Sequence, residues 1–257
     1  MKYIYLLSFI FFANYTNAQF SVNASYSLGI PQKEMAQNIN SVHGIYIGGQ
    51  YTLPNNLNNI SVGLTTGFGS YANLIKETTF TFNDNSITTD VTYSSKVSST
   101  SAFVKMDLIK NFSIIPYAMI SGGSQKFYSS IRIADPEDED DCKPLEVKTI
   151  MSDRTAFYGL GGGAKIDMGI FGLEEKKHFI DISLSWIRGG KIDYINTRKL
   201  KDSHEHEADM DMPEKGRPLN VSFINVSSNL IHEHKVAEIY TTPLRLMDIK
   251  VSYFYSF

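Results

Sequence analysis

Two histidine pairs offer the most direct chemistry in this chain. His204-Glu205-His206 and His232-Glu233-His234 each place imidazoles at positions i and i+2. On an extended chain these share a face, so each pair could present two ring nitrogens to one metal ion. Four neutral imidazoles together would suit Zn²⁺, Cu²⁺ or Ni²⁺. No feature of the spacing joins the two pairs, and long polar loops collect histidine by composition. An acidic run, Asp135-Pro136-Glu137-Asp138-Glu139-Asp140-Asp141, carries hard oxygen ligands of the kind Ca²⁺ takes. It lacks the spaced ligands and the glycine of an EF-hand loop, so a solvated loop is expected. Cys142 follows directly. Negative charge beside a thiol disfavours the thiolate, which makes this cysteine a poor nucleophile. A lipid hydrolase would need a Ser–His pair with an orienting acid on one strand face. Ser41 and His43 share a parity and His178 stands beside a short turn, but neither histidine lies in a recognisable motif. Gly161-Gly162-Gly163 sits inside an extended segment with no helix after it, which excludes a phosphate-binding loop. Neither an enzyme nor a cofactor is implied.

Composition narrows the class. The 257 residues hold 24 Lys+Arg against 27 Asp+Glu, a formal charge of −3, with no basic block. That balance excludes a dedicated nucleic-acid binder. One cysteine excludes an internal disulfide framework and a cysteine-rich zinc site. A modest 42% hydrophobic fraction alongside 15 Tyr and 16 Phe fits a β-protein with apolar residues at alternate positions. The first residues read separately. Lys2, an apolar run over 3–13 and the small residues Thr16 and Ala18 form a secretory signal peptide spanning 1–18. About 11 apolar residues fall short of the ~20 that a spanning helix needs.

From residue 19 onward the apolar residues recur with a period of two. Phe20, Val22, Ala24, Tyr26 and Leu28 alternate with Ser21, Asn23, Ser25 and Ser27. The same pattern returns over 45–53, 60–68, 102–108, 156–168, 180–186 and 247–257, and residues 113–127 also read as a strand although Pro116 obscures their facing. That makes eight strands, with no comparable helical period. The links alternate too: 54–59, 110–112 and 169–177 are short, whereas 31–41, 73–98, 128–153 and 190–242 are long. A soluble sandwich has no reason to alternate in this way. A transmembrane barrel has, because its periplasmic turns are short and its extracellular loops long.

On these residues the chain resembles the small eight-stranded outer-membrane β-barrels of Gram-negative bacteria, porin-like in outline, over essentially all of 19–257. The signal ending Asn17-Ala18-Gln19, the dyad-repeat strands and the last strand Tyr253-Phe254-Tyr255-Ser256-Phe257 carry the resemblance. An Asn/Ile/Lys-rich flavour resembles the Bacteroidetes branch. The resemblance implies that Tyr253, Tyr255 and Phe257 form the signal read by the barrel-assembly machinery. It also implies outer-membrane lipid around the wall and a protein or polysaccharide partner at the loops.

The fold expectation is therefore a closed antiparallel all-β barrel with its apolar face outward. Lys105, Asp107, Lys165, Asp167, Asp181, Asp248 and Lys250 then point inward. Charges at similar depth would pair across an interior that, for eight strands, side chains just fill. A self-neutralising plug is expected, with an ion or proton path as the alternative. Inward glycines at 63, 67, 69, 159, 161 and 163 would make room for bulky partners such as Phe103 and Phe157. Residues 78–82 and 87–93 extend two strands around a turn at Asn83-Asp84-Asn85-Ser86, and 221–226 and 236–241 are expected to pair around His232–His234. Function would then reside in the loops, in a narrow channel, or in docking to a larger outer-membrane complex.

Overall fold

The computed structural model describes residues 20–82, 85–110, 112–133, 146–173, 177–198, 216–224 and 231–257. At 78–82, 85–87, 146, 220–224 and 231–236 the description covers the backbone alone. Among the described residues nine strands run in chain order: β1 (Phe20–Pro31), β2 (Val42–Thr52), β3 (Ile60–Phe82), β4 (Asn85–Asp107), β5 (Ile114–Ile133), β6 (Glu146–Asp167), β7 (His178–Ile195), β8 (Arg217–Ile224) and β9 (Ile231–Ser256). Neighbours pair antiparallel in the order β1 to β7, then β9, then β8, and β1 pairs back onto β9. The wall is thus closed by eight strands, with β9 as the last stave. β8 lies outside the closure, on the upper part of β9. Among the described residues no helix is long and apolar enough to cross a membrane.

Register fixes the slope of the wall. The hydrogen-bonded line from Val22 passes through Gly49, Leu64, Ala102, Gly122, Tyr158 and Arg188 to Arg245. It returns to the first strand beside Gln32, whose N–H donates to the Arg245 carbonyl at 3.0 Å. Gln32 stands ten positions above Val22, so the line climbs a little over one residue per strand, the stagger a tilted eight-stranded barrel requires.

Alternation sorts the faces as the sequence implies. Ser21, Ser25, Ser27, Ser99, Ser101, Lys105, Asp181 and Ser183 are buried inside, while Ile45, Ile47, Leu64, Phe68, Leu160 and Ile182 are exposed outside. An apolar outer face around a closed hydrogen-bonded sheet is the solution that hydrocarbon imposes on strands.

Several strands run far past the ~9–11 residues that suffice to cross a bilayer. β3 and β4 have 23 residues each and meet at Phe82 and Asn85, so the expected hairpin forms but Asn85 and Ser86, expected in its turn, belong to β4. β6 and β7 also run further than their alternation suggests, and bulges explain why. Extra residues in β3 at Ser70/Ala72, in β6 at Met151/Thr149 and in β7 at Arg188/Lys191 reverse the inward parity. In β7 the inward set changes from Asp181, Ser183 and Ser185 to Ile192 and Tyr194. The hairpin expected around His232–His234 needs correction. Residues 231–236 belong to β9, where His232 pairs with Phe223 and His234 with Val221, so the connection falls across 225–230.

Above the bulges the interior is mainly apolar, with a few buried hydroxyls and amides such as Ser95, Ser129 and Asn38 among it. Met35, Ile39, Tyr71, Val97, Phe127, Met151, Ile192, Tyr194 and Leu244 form one buried cluster. The short helix α1 (Glu34–Asn38), from the β1–β2 connection, seats Met35 and the following Ile39 into its top. The sequence places its mixed charges at one depth of the lumen and does not display this second, apolar layer, because the bulges exchange which residues face inward.

Candidate functional site

The lumen holds six of the seven predicted charges as three ion pairs. Lys105 Nζ stands 3.1 Å from Asp181 Oδ2, both buried, and Lys165 Nζ stands 2.7 Å from Asp107 Oδ2. Lys250 Nζ lies 3.6 Å from Asp248 Oδ2, and Ser27 Oγ donates to the other oxygen of Asp248. Asp167 has a different role. Its Oδ1 accepts from Gly169 N at 2.9 Å and caps the turn at 168–171, because it stands at the last position of β6.

The Lys105–Asp181 pair is the most buried of the three. Tyr117 Oη donates to Asp181 Oδ1 at 2.9 Å, so the carboxylate is bonded on both oxygens. The ammonium lies over three rings, with centroids of Tyr117 at 4.6 Å, Phe254 at 4.7 Å and Phe103 at 5.3 Å. Cation–π attraction and the ion pair together offset the desolvation of a buried lysine. Gly63 and Gly163 make this packing fit. A Cβ at Gly63 would strike the Phe103 ring, and one at Gly163 would stand 2.7 Å from Tyr117 Oη. Lys250 sits over the Tyr46 ring at 4.7 Å in the same way.

Tyr117 and Phe254 were missed from the sequence. Pro116 hid the phase of β5, and Phe254 lay on the inward parity of a strand read only for its outward aromatics. Pairing with β4 and β6 sets Tyr117 opposite Asp107 and Gly163, which turns it inward.

Two spaces lie along the inside of the barrel. Below the aromatic cluster a vestibule of about 560 Å³, lined by Asp107, Lys110, Lys165 and Asp167, opens at the end with short turns. Above it a cavity of about 70 Å³, lined by Ser99, Ser101, Ser183, Ser185 and Asp248 among others, has room for a few waters. The apolar cluster and α1 close the top. Asn38 Nδ2 donates to Tyr194 Oη at 3.0 Å, and Asn196 Nδ2 donates to Asn38 Oδ1 at 3.2 Å, tying the lid to the wall.

The remaining candidates divide. His43 Nδ1 pairs with Tyr26 Oη at 2.6 Å and His178 Nδ1 with Tyr253 Oη at 2.6 Å, both on the outer face. Neither imidazole is bonded to Ser41 or to any other serine among the described residues. Tyr253, Tyr255 and Phe257 line the outer rim beside the short turns, with Tyr255 and Phe257 rings 5.0 Å apart and Phe257 stacked 6.1 Å from Phe20. Residues 1–18, the acidic run, Cys142, His204 and His206 lie outside the described residues, as do the side chains of His232 and His234.

A closed antiparallel sheet with a charge-paired interior and an apolar exterior defines the fold as an outer-membrane β-barrel. No protein-family model matches the chain, and no curated protein matches it by sequence. Among solved structures it is similar to a major outer membrane protein from Thermus thermophilus, at 12% identity over 94% of this chain and 100% of that one, with TM-score 0.48. It is also similar to Neisserial surface protein A, at 9% identity over 93% and 97%, with TM-score 0.39. A third is Ail, the attachment invasion locus protein of Yersinia pestis, in complex with the heparin analogue sucrose octasulfate, at 11% identity over 93% and 97%, with TM-score 0.39.

Proposed function

We propose that this barrel is a sealed anchor that holds a binding surface outside the cell, for a protein or polysaccharide partner or for a larger outer-membrane complex. The observation that carries this reading is the lumen, closed below by the Lys105–Asp181–Tyr117 cluster and above by an apolar core with its own lid. A conduit would need a continuous wet path, and the cavity between the two closures measures about 70 Å³ among the described residues. The strands meanwhile continue as a projecting wall that leaves Ile75 and Val147 about two-thirds exposed, points where a partner could gain apolar contact. Tyr253, Tyr255 and Phe257, at the rim of the closing strand, serve as the assembly signal in this reading.

Planar-bilayer recording of the purified protein tests it. Silence under applied voltage is the expected result. A steady single-channel conductance would replace this reading with a narrow channel for ions or small solutes.

A further inference from the structure

The outer wall carries a second belt that hydrophobic burial does not explain. On the outward parity of β4, β5, β6, β7 and β9 stand Lys96, Lys126, Arg154, Arg188 and Arg245. With the slope of the wall, these five fall within about three residue steps of one height, roughly 7 Å. They lie directly above the apolar band. Two residues below Arg188 on the same face is Trp186, and two below Arg245 is Met247; Tyr158, further down β6 from Arg154, is half exposed like Trp186. Indole and phenol rings at such an edge mark the membrane–water boundary.

The pairing within this belt is unfavourable in isolation. Lys126 stands directly opposite Arg154, and Arg188 directly opposite Arg245. Like charges opposed across an antiparallel ladder repel at ~5 Å between Cβ atoms. Among the described residues none of the five forms an ion pair, and the outward positions at this height hold no carboxylate. The first outward acid higher on this wall, Asp193, already binds Arg217 and Thr241. Lys126 lies over the Tyr128 ring at 5.7 Å, and the Asp153 carboxylate next to Arg154 is taken up by the backbone N–H groups of Arg154 and Asp193. Two adjacent cation pairs thus stand at a lipid boundary without a carboxylate partner and favour anions from elsewhere.

We propose that this belt is a binding site for the phosphate groups of an anionic glycolipid in the outer leaflet. Arg188 with Arg245, and Lys126 with Arg154, each form a two-cation clamp for one phosphate, to which arginine offers a planar fork of donors. Continuity with the apolar band selects a lipid over a soluble polyanion: a ligand whose phosphate sits between Arg188 and Arg245 can lay its acyl chains along Trp186 and Met247. The site is separate from the lumen and from any partner surface higher on the wall, and it rests only on the barrel spanning the bilayer.

The test is native mass spectrometry of the full barrel, released from detergent after incubation with equal amounts of bis-phosphorylated lipid A and the same lipid dephosphorylated. The expected result is retention of the phosphorylated form by about tenfold or more, falling to near parity in Lys126→Gln/Arg154→Gln/Arg188→Gln/Arg245→Gln. Heat-modifiable migration on gels checks that the variant folds, and Arg188→Gln/Arg245→Gln alone serves if the fourfold variant does not. Equal retention of both lipids by the wild type would overturn the proposal, as would a folded variant that keeps the preference. Displacement of the lipid by inorganic phosphate or a soluble sulfated polysaccharide at matched charge would assign the belt to a soluble anion and sink the lipid assignment.

Discussion

Lys105 shows how far one residue's role follows from its surroundings. Its ammonium has traded water for Asp181 and three rings, and Asp181 has traded water for Lys105 and Tyr117. Removing one partner strands the other charge in a closed interior. Lys105→Met should therefore destabilise the barrel by about 3–5 kcal/mol, whereas Lys105→Met with Asp181→Leu should recover most of that loss. Urea unfolding in lipid vesicles, followed by Trp186 fluorescence, reads both variants. Equal losses in the single and double variants would show that the pair contributes packing and not charge compensation. Strand parity makes the inward facing of these charges legible, but not which cation meets which carboxylate, since that depends on register across the barrel. The aromatic cluster was only half legible, because Tyr117 follows a proline whose strand phase the sequence does not display.

At the scale of the element, period-two alternation identifies the membrane portion of every stave but β5, whose phase Pro116 hides, because hydrocarbon outside and polar side chains inside leave little freedom in the pattern. Beyond the bilayer that pressure ends. The bulges in β3, β6 and β7 reverse parity at the level where the apolar core begins, so the upper parts of β6 and β7 read as loop, whereas 78–82 and 87–93 remain legible as extensions of β3 and β4. α1, a helix of five residues with Lys33 before it at φ 57°, carries too short a signal to be seen. The belt of cations was hidden for a different reason, since its members are spread over five strands and meet only through register. The facing of β3 has a direct check. Leu64 is 65% exposed on the outer wall, near the middle of the apolar band. Leu64→Arg should cost about 2–4 kcal/mol, the depth-dependent penalty for a cation at the midplane, and should lower the yield of folded barrel in outer-membrane fractions. Folding at the wild-type level would place that face away from lipid.

At the scale of the molecule the two closures act in series. Current along a pore is limited by its narrowest segment, so opening one closure leaves the other in control. The lower one is polar and depends on ion pairs, while the upper one is apolar and depends on packing around Phe127 and Tyr194, both with no measurable exposure. Lys105→Ala/Asp181→Ala/Tyr117→Ala would join the small cavity to the vestibule yet leave the apolar core in place. That variant should stay silent in planar bilayers. Adding Phe127→Ala and Tyr194→Ala removes the side chains that fill the upper interior, and conductance should then appear in the combined variant. Truncating either closure alone should produce no current, so the two sets of substitutions are non-additive by construction. Conductance from the lower truncation alone would show that the upper core breathes enough to pass ions. The barrel would then be a gated pore whose gate is the charged cluster, and the reading of a sealed anchor would fall with it.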